Sequence, residues 1–145
     1  MRIVIDANIL IAGIWGLRSI IAILTSGNHQ FFAPMPILAE INKHREFICA
    51  REGLTREEFE VRRNALTKVI NLVEARKYQA YTKQAQTALE RRDVSDAHYV
   101  ACALAVGADF IWTNDADFTA QQLVPIKTTA RFIDERKSDT FKYNT

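Results

Sequence analysis

Cysteine is scarce in this chain: Cys49 and Cys102 stand far apart, and no CxxC pair or cysteine cluster occurs. That argues against a zinc site or a dithiol redox motif and reads both residues as small buried hydrophobes of a reducing compartment. Long apolar runs are missing too. The longest stretch free of polar residues, Ile9 to Leu17, has nine residues, about half of the roughly 18 a membrane span needs. Asp6 and Asn8 interrupt the place where the apolar core of a secretory signal would lie, so the expectation is a cytoplasmic protein with no membrane partner. Charge of one sign is not in excess either. Nineteen Lys and Arg face seventeen Asp and Glu, giving a net charge of +2 and a pI of 8.6, short of the value above about 9 typical of a dedicated nucleic-acid binder. Global charge leaves the partner open. Gly/Ser-rich linkers, repeats and low-complexity tracts are also lacking, which favours one domain. The 145 residues suffice to bury roughly 70% of the unfolded surface without disulfide or metal.

What is present is an alternation of β-like and helical segments. Arg2 to Ile5 is a β-branched run that stops at Asp6, and Ile9 to Leu24 reads as one buried helix. His29 to Ala33 reads as a strand. Pro36 suits the first turn of a helix carrying Glu40 toward Cys49. Thr55 and Glu58 have capping-box spacing, with Leu54 and Phe59 at the staple positions, so a helix starts there. From Phe59 the apolar Leu66, Val69, Ile70 and Val73 keep helical spacing, while Arg56, Glu57, Glu60, Arg63 and Lys68 form a solvated face. A strand near Leu72 to Ala75 precedes helical Gln79 to Leu89, and Ser95 to Val106 is a helix ending at Gly107, a left-handed cap. Strands follow at Phe110 to Trp112 and Val124 to Lys127, then a helix over Thr128 to Arg136 and a polar, frayed end over Ser138 to Thr145. Strands separated by helices lie parallel. The expected fold is α/β, a three-layer α/β/α sandwich around a central parallel sheet of four to five strands.

Ligands bind such sheets outside the carboxyl ends of the strands, and two acids sit there: Asp6 after the first strand, and Asp115 two residues beyond Thr113 at the end of Phe110 to Trp112. If those strands are neighbours, the two carboxylates crowd together, which is costly unless a cation or proton intervenes. Glu40 and Asp96, each on a helix, bring the count to four, an all-oxygen set suited to Mg²⁺ or Mn²⁺. Each acid alone has a plainer role: a turn at Asp6, a capping loop at Asp115-Ala116-Asp117, a helix cap at Asp93 or Asp96, a surface acid at Glu40.

Ile3-Val4-Ile5-Asp6-Ala7-Asn8-Ile9-Leu10 resembles the opening strand and acid of PIN-domain nucleases, and Ile111-Trp112-Thr113-Asn114-Asp115-Ala116-Asp117-Phe118 resembles their late threonine-x-aspartate signature. Asp93-Val94-Ser95-Asp96-Ala97, leading into an Ala-rich helix, is similar to the third element, and Pro36-Ile37-Leu38-Ala39-Glu40-Ile41 to the helix that supplies the second acid. The resemblance spans Met1 to about Arg136, implying a PIN-like domain over residues 1–137 and a polar tail over 138–145. It assigns Asp6, Glu40, Asp96 and Asp115 to an acidic metal site, with Asp93 and Asp117 as auxiliaries and with Asn8 and Thr113 orienting the carboxylates.

The activity the resemblance implies is Mg²⁺- or Mn²⁺-dependent hydrolysis of RNA phosphodiesters, leaving a 5′-phosphate and a 3′-hydroxyl with no nucleophilic side chain. Arg18, Lys43, Arg45, Arg91 and Arg92 are the candidate RNA contacts around an acidic floor that repels phosphate until metal is bound. His29, His44 and His98 match none of the acidic positions and read as structural or surface residues; a general base is the alternative for His98, beside Asp96. Many relatives of this size are the toxin half of a toxin–antitoxin pair, so a small antitoxin partner and a homodimer are implied. The alternatives are a non-catalytic module of the same fold that binds RNA or protein, and a phosphatase of the haloacid-dehalogenase type. The latter is disfavoured by Asn8, which stands where that chemistry needs a second acid.

Overall fold

The computed structural model describes residues 1–90 and 94–144, with side chains through Lys137. Its elements are β1 (Arg2–Ile5), α1 (Ala7–Ile14), α2 (Arg18–Thr25), β2 (Gln30–Pro34), α3 (Ile37–Lys43), α4 (Arg45–Glu52), α5 (Arg56–Thr67), β3 (Ile70–Val73), α6 (Ala75–Tyr78), α7 (Thr82–Ala88), α8 (Val94–Val106), β4 (Phe110–Trp112), β5 (Ile126–Lys127) and α9 (Thr129–Asn144). Ile3, Val4 and Ile5 alternate between the two faces of β1 and are completely buried, which requires a strand flanked on both edges and covered on both faces. β1 accordingly pairs with β2 on one side and β4 on the other. The sheet is parallel, in the order β3-β2-β1-β4-β5. The chain winds outward from β1 through β2 to β3, then returns to the opposite edge of β1 with β4. The reversal of direction between β1 and β4 opens the crevice in which such sheets take their ligands.

Register sets Ile3 beside Phe31 and Phe110 on one face, where Phe132 of α9 stacks at 5.4 Å from Phe110 and 5.1 Å from Trp112, ring centre to ring centre. On the other face lie Arg2 and Phe32: Arg2 Nε donates to the Val106 carbonyl at the end of α8 (2.7 Å), and its guanidinium covers the Phe32 ring. α8 packs across β1, β2 and β4, and α6 and α7 pack on α8. This is the expected α/β/α sandwich with five parallel strands.

The capping box at Thr55 and Glu58 forms, and Gly107 takes the left-handed conformation expected of a cap. Other expectations need correction. The segment from Ile9 to Leu24 is two helices, since Gly16 adopts φ +99° and α1 and α2 meet at a bend of 110°. Among the described residues no single helix is long and apolar enough to cross a membrane. The helix after Pro36 likewise breaks at His44 into α3 and α4. Ile70 and Val73, which continue the helical spacing of α5, belong to β3; this edge strand has four residues, and its two buried ends, three positions apart, fit a turn of helix as well as a short strand. Gln79 to Leu89 is a 3₁₀ turn at Gln79–Tyr81 followed by α7. α9 continues past Arg136 to Asn144.

Removal of the ring that fixes α9 to the sheet tests this packing. Phe132→Ala should destabilise the protein by about 3–5 kcal/mol, read as a lower urea midpoint at unchanged denaturant slope.

Candidate active site

Asp6 serves both strands that border the crevice. Its backbone N–H donates to the Trp112 carbonyl of β4 at 3.3 Å, and its Oδ1 accepts the Ile9 N–H at 3.0 Å as the cap of α1. Its Oδ2 accepts a short hydrogen bond from the hydroxyl of Thr113, the residue after β4. That hydroxyl in turn accepts the N–H of Asp115 at 3.0 Å. Asp115 Oδ1 accepts the Asp117 N–H at 2.9 Å and starts the 3₁₀ turn Ala116–Ala120. A continuous relay of hydrogen bonds thus runs from the end of β1 to the loop beyond β4. Asp6 and Thr113 are 4% and 1% exposed, so the relay begins in the protein interior.

Burial raises the pKa of Asp6 above the ordinary carboxylate value, and the neighbouring Asp115 pushes it the same way. The hydrogen bonds from Thr113 and from the backbone N–H groups of Ile9 and Asn8 oppose this without cancelling it. Asn8 contributes through its backbone; its side chain is exposed in the first turn of α1.

Asp96, in the first turn of α8, meets Asp115 and Asp117: the three offer carboxylate oxygens within 4.8 Å of one another. Glu40, in the first turn of α3, is half-buried. It joins the group through Tyr99, whose phenol is held strongly in its protonated form, first by burial and then by the carboxylates of Glu40, Asp6 and Asp96. Asp6, Glu40, Asp96 and Asp115 are therefore brought together, with Asp117 and Thr113 among them. Tyr99 was not legible as a site residue. The signal that could have found it is its position three residues after Asp96, on the same face of α8.

The other candidates divide. Asp93, Arg91 and Arg92 lie outside the described residues. Lys43 is exposed one turn beyond Glu40, and Arg45 is half-buried at the start of α4. Arg18 lines a groove of about 380 Å³ with Gly13, Ile21, Arg62 and Leu66, which none of the four acids lines. His29 packs edge-on against Phe31 and Phe132 beside the N-terminal amine, where burial first, and then the positive charges of the amine and Arg136, lower its pKa. His98 packs edge-on against Tyr78 of α6. Both cysteines are free thiols; Cys102 is buried, which pushes its pKa up to about 12, while Cys49 is half-buried.

The donors gathered here are oxygen atoms, the ligand type that Mg²⁺ and Mn²⁺ prefer. The Tyr99 hydroxyl is buried without a hydrogen-bond partner of full geometry, and Asp6 is an acid whose charge the fold disfavours. A divalent cation would relieve the crowding of these carboxylates, and the residues present fit one.

The raised pKa of Asp6 has a consequence for stability. Folded Asp6 holds its proton more tightly than the unfolded chain, so the native state binds more protons and stability falls as pH rises. In metal-free protein the unfolding midpoint should decline from pH 3.8, the ordinary value, upward through the raised one. Asp6→Asn should flatten this part of the profile and raise the midpoint at neutral pH, as thermal unfolding in chelator across this range would show.

Comparison with known proteins follows the same lines. A chain of VapBC2 from Rickettsia felis, solved bound to a DNA fragment from its promoter, superposes with a TM-score of 0.67 at 17% identity, covering 88% of this chain and 98% of that one. A chain of VapBC-1 from nontypeable Haemophilus influenzae gives 0.66 at 18% identity, covering 90% and 99%. At these identities the likeness is one of fold. No curated protein matches the sequence significantly. The family model of the PIN domain matches residues 4–136, from within β1 into α9 and across every acid of the site, and the chain belongs to the PIN-domain family.

Proposed function

We propose that this protein is a metal-dependent endoribonuclease that hydrolyses RNA phosphodiester bonds, the toxin component of a toxin–antitoxin pair. The observation that supports it most is the gathering of Asp6, Glu40, Asp96 and Asp115 around the crevice between β1 and β4, with an unsatisfied phenol among them. Family membership supports nuclease chemistry and sets aside the phosphatase alternative, in which Asn8 would have to be an acid. Two similar folds come from VapBC assemblies, which supports a small antitoxin partner. Leu17, Phe47 and Val61 stand exposed on neighbouring elements around α1, α4 and α5, apolar surface that suits a protein partner.

In this reading Asp6, Glu40, Asp96 and Asp115 would hold Mg²⁺ or Mn²⁺, with Asp117 as an auxiliary. The cation, when bound, neutralises the scissile phosphate and lowers the pKa of an attacking water. The chain's own part is positional. Thr113 fixes one oxygen of Asp6 and the start of α1 fixes the other, so the deepest carboxylate is held rigidly at the strand end. The backbone N–H of Asp115 is tied to the same hydroxyl, which sets the spacing between the two acids. Lys43 and Arg45, which both follow Glu40 within five residues, supply positive charge for RNA phosphates.

Cleavage of labelled single-stranded RNA tests the proposal. Activity should require Mn²⁺ or Mg²⁺ and vanish in chelator. Asp6→Asn and Asp115→Asn should each slow it by about 10²-fold or more, the scale of several kcal/mol of lost transition-state stabilisation, with circular dichroism unchanged. RNA binding without cleavage by wild type would indicate the non-catalytic module instead, and equal cleavage of single-stranded DNA would overturn the substrate assignment.

A further inference from the structure

Side chains alternate in direction as the chain leaves β4. Thr113 turns inward to Asp6, while its two neighbours both reach Thr129, the first residue of α9. The Trp112 indole donates to the Thr129 hydroxyl at 2.9 Å. The Asn114 side-chain amide meets the same residue twice: its Nδ2 donates to that hydroxyl at 3.0 Å, and its Oδ1 accepts the Thr129 N–H at 2.8 Å. Backbone pairing carries the two segments as far as the Thr113 N–H, which donates to the Lys127 carbonyl at 3.0 Å. The asparagine adds a further rung, made by a side chain in place of the backbone. Capping of α9 is the plainest role for such a contact, but α9 has a cap of its own: the Thr128 hydroxyl accepts the Arg131 N–H at 3.2 Å. Capping would also use the amide oxygen alone, and here both ends of the amide are engaged.

We propose that Asn114 is a positioning residue for the metal site, its amide latching the loop that bears Asp115 to the start of α9. The proposal rests on the nuclease reading of the same site. Two bonds to one residue fix the plane of the amide, and with it the Asn114 backbone, relative to α9. The next residue is Asp115. Its N–H is held by the Thr113 hydroxyl, and its carboxylate shares a cluster with those of Asp96 and Asp117, oxygens within 4.8 Å of one another. Like charges at that range repel, so a loose loop would spread them in metal-free protein. Thr113 ties this loop to β1 and Asn114 ties it to α9, which leaves the carboxylate in place before the cation arrives. A ligand set ordered beforehand binds more tightly, because the ion does not have to order it. Asn114 is exposed, where hydrogen bonds compete with water and add little to global stability. Its contribution to the site and its contribution to the fold are therefore separable.

The test is Mn²⁺ affinity, read from the electron paramagnetic resonance of free Mn²⁺, beside the urea midpoint of the metal-free protein. Asn114→Ala should weaken Mn²⁺ about five- to tenfold, the worth of one or two ordinary hydrogen bonds. Thr129→Ala should weaken it too, Thr129→Ser should restore it, and Asn114→Ala combined with Thr129→Ala should cost less than the product of the separate effects. Thr128→Ala is the control for capping: it should lower the urea midpoint at least as much as Asn114→Ala does and leave Mn²⁺ affinity unchanged. Equal affinities of wild type and Asn114→Ala would overturn the proposal. So would a Thr128→Ala variant that binds Mn²⁺ as weakly as Asn114→Ala, since the seating of α9 in general would then be what matters. Should Asn114→Ala fail to fold, the contrast between Thr129→Ser and Thr129→Ala decides, and equal affinities of those two would overturn the latch. Wild type that takes up no Mn²⁺ sinks the nuclease reading together with this one, whereas Mn²⁺ uptake insensitive to Asn114 and Thr129 sinks the latch alone.

Discussion

The hydrogen bond from Thr113 to Asp6 joins the ends of β1 and β4 at the point where the sheet reverses its winding. Most of the site depends on it. A buried carboxylate is unfavourable unless its oxygens are satisfied, and both oxygens of Asp6 are, one from each side of the crevice. The same threonine oxygen accepts from the Asp115 backbone, so one hydroxyl sets where the first acid stands and where the loop bearing the last acid begins. Valine at this position would match the shape of threonine but would leave one oxygen of Asp6 and the N–H of Asp115 without their partner.

Parallel sheets make such an arrangement possible with very short segments. β4 has three residues and β1 has four, yet their register brings Ile5 opposite Trp112, so the next residues, Asp6 and Thr113, meet without any further device. α3 and α8 add Glu40 and Asp96 from their first turns, where the positive end of the helix dipole favours a carboxylate. Each acid thus stands where its local backbone welcomes a negative charge. What opposes the charge of Asp6 is burial first and the nearness of Asp115 after it.

Much of this was legible before any coordinates. The compact apolar run Phe110 to Trp112, the capping box at Thr55 and the glycine cap at Gly107 each follow from local chemistry that tertiary structure had no reason to override. The four acids were legible singly as carboxylates at strand ends or near helix starts, and as one group through the resemblance to PIN-domain nucleases. The break at Gly16 was less so, since its flanking residues are all apolar and a glycine inside an apolar run is compatible with a continuous helix. Ile70 and Val73 were hidden by a spacing that fits a helix and a four-residue edge strand equally well. Tyr99 was hidden for a different reason. Nothing about a tyrosine on an apolar helix face distinguishes a core residue from one that stands near carboxylates, because Glu40 and Asp6 arrive from segments more than fifty residues earlier in the chain.

Unsatisfied burial by itself does not identify a site, and this fold contains its own control. The Tyr78 hydroxyl and His98 Nδ1 are also buried without hydrogen-bond partners. Their rings pack edge-on at 5.7 Å between α6 and α8, and what raises the pKa of Tyr78 is burial, followed by the thiol of Cys102. No carboxylate is among the causes of that shift, so the orphaned hydroxyl there implies no ligand by itself. Tyr99, one residue beyond His98 on the same helix, faces three carboxylates instead. The difference between the two tyrosines lies in their surroundings: burial comes first at both hydroxyls, and it is reinforced by a thiol at Tyr78 but by the carboxylates of Glu40, Asp6 and Asp96 at Tyr99.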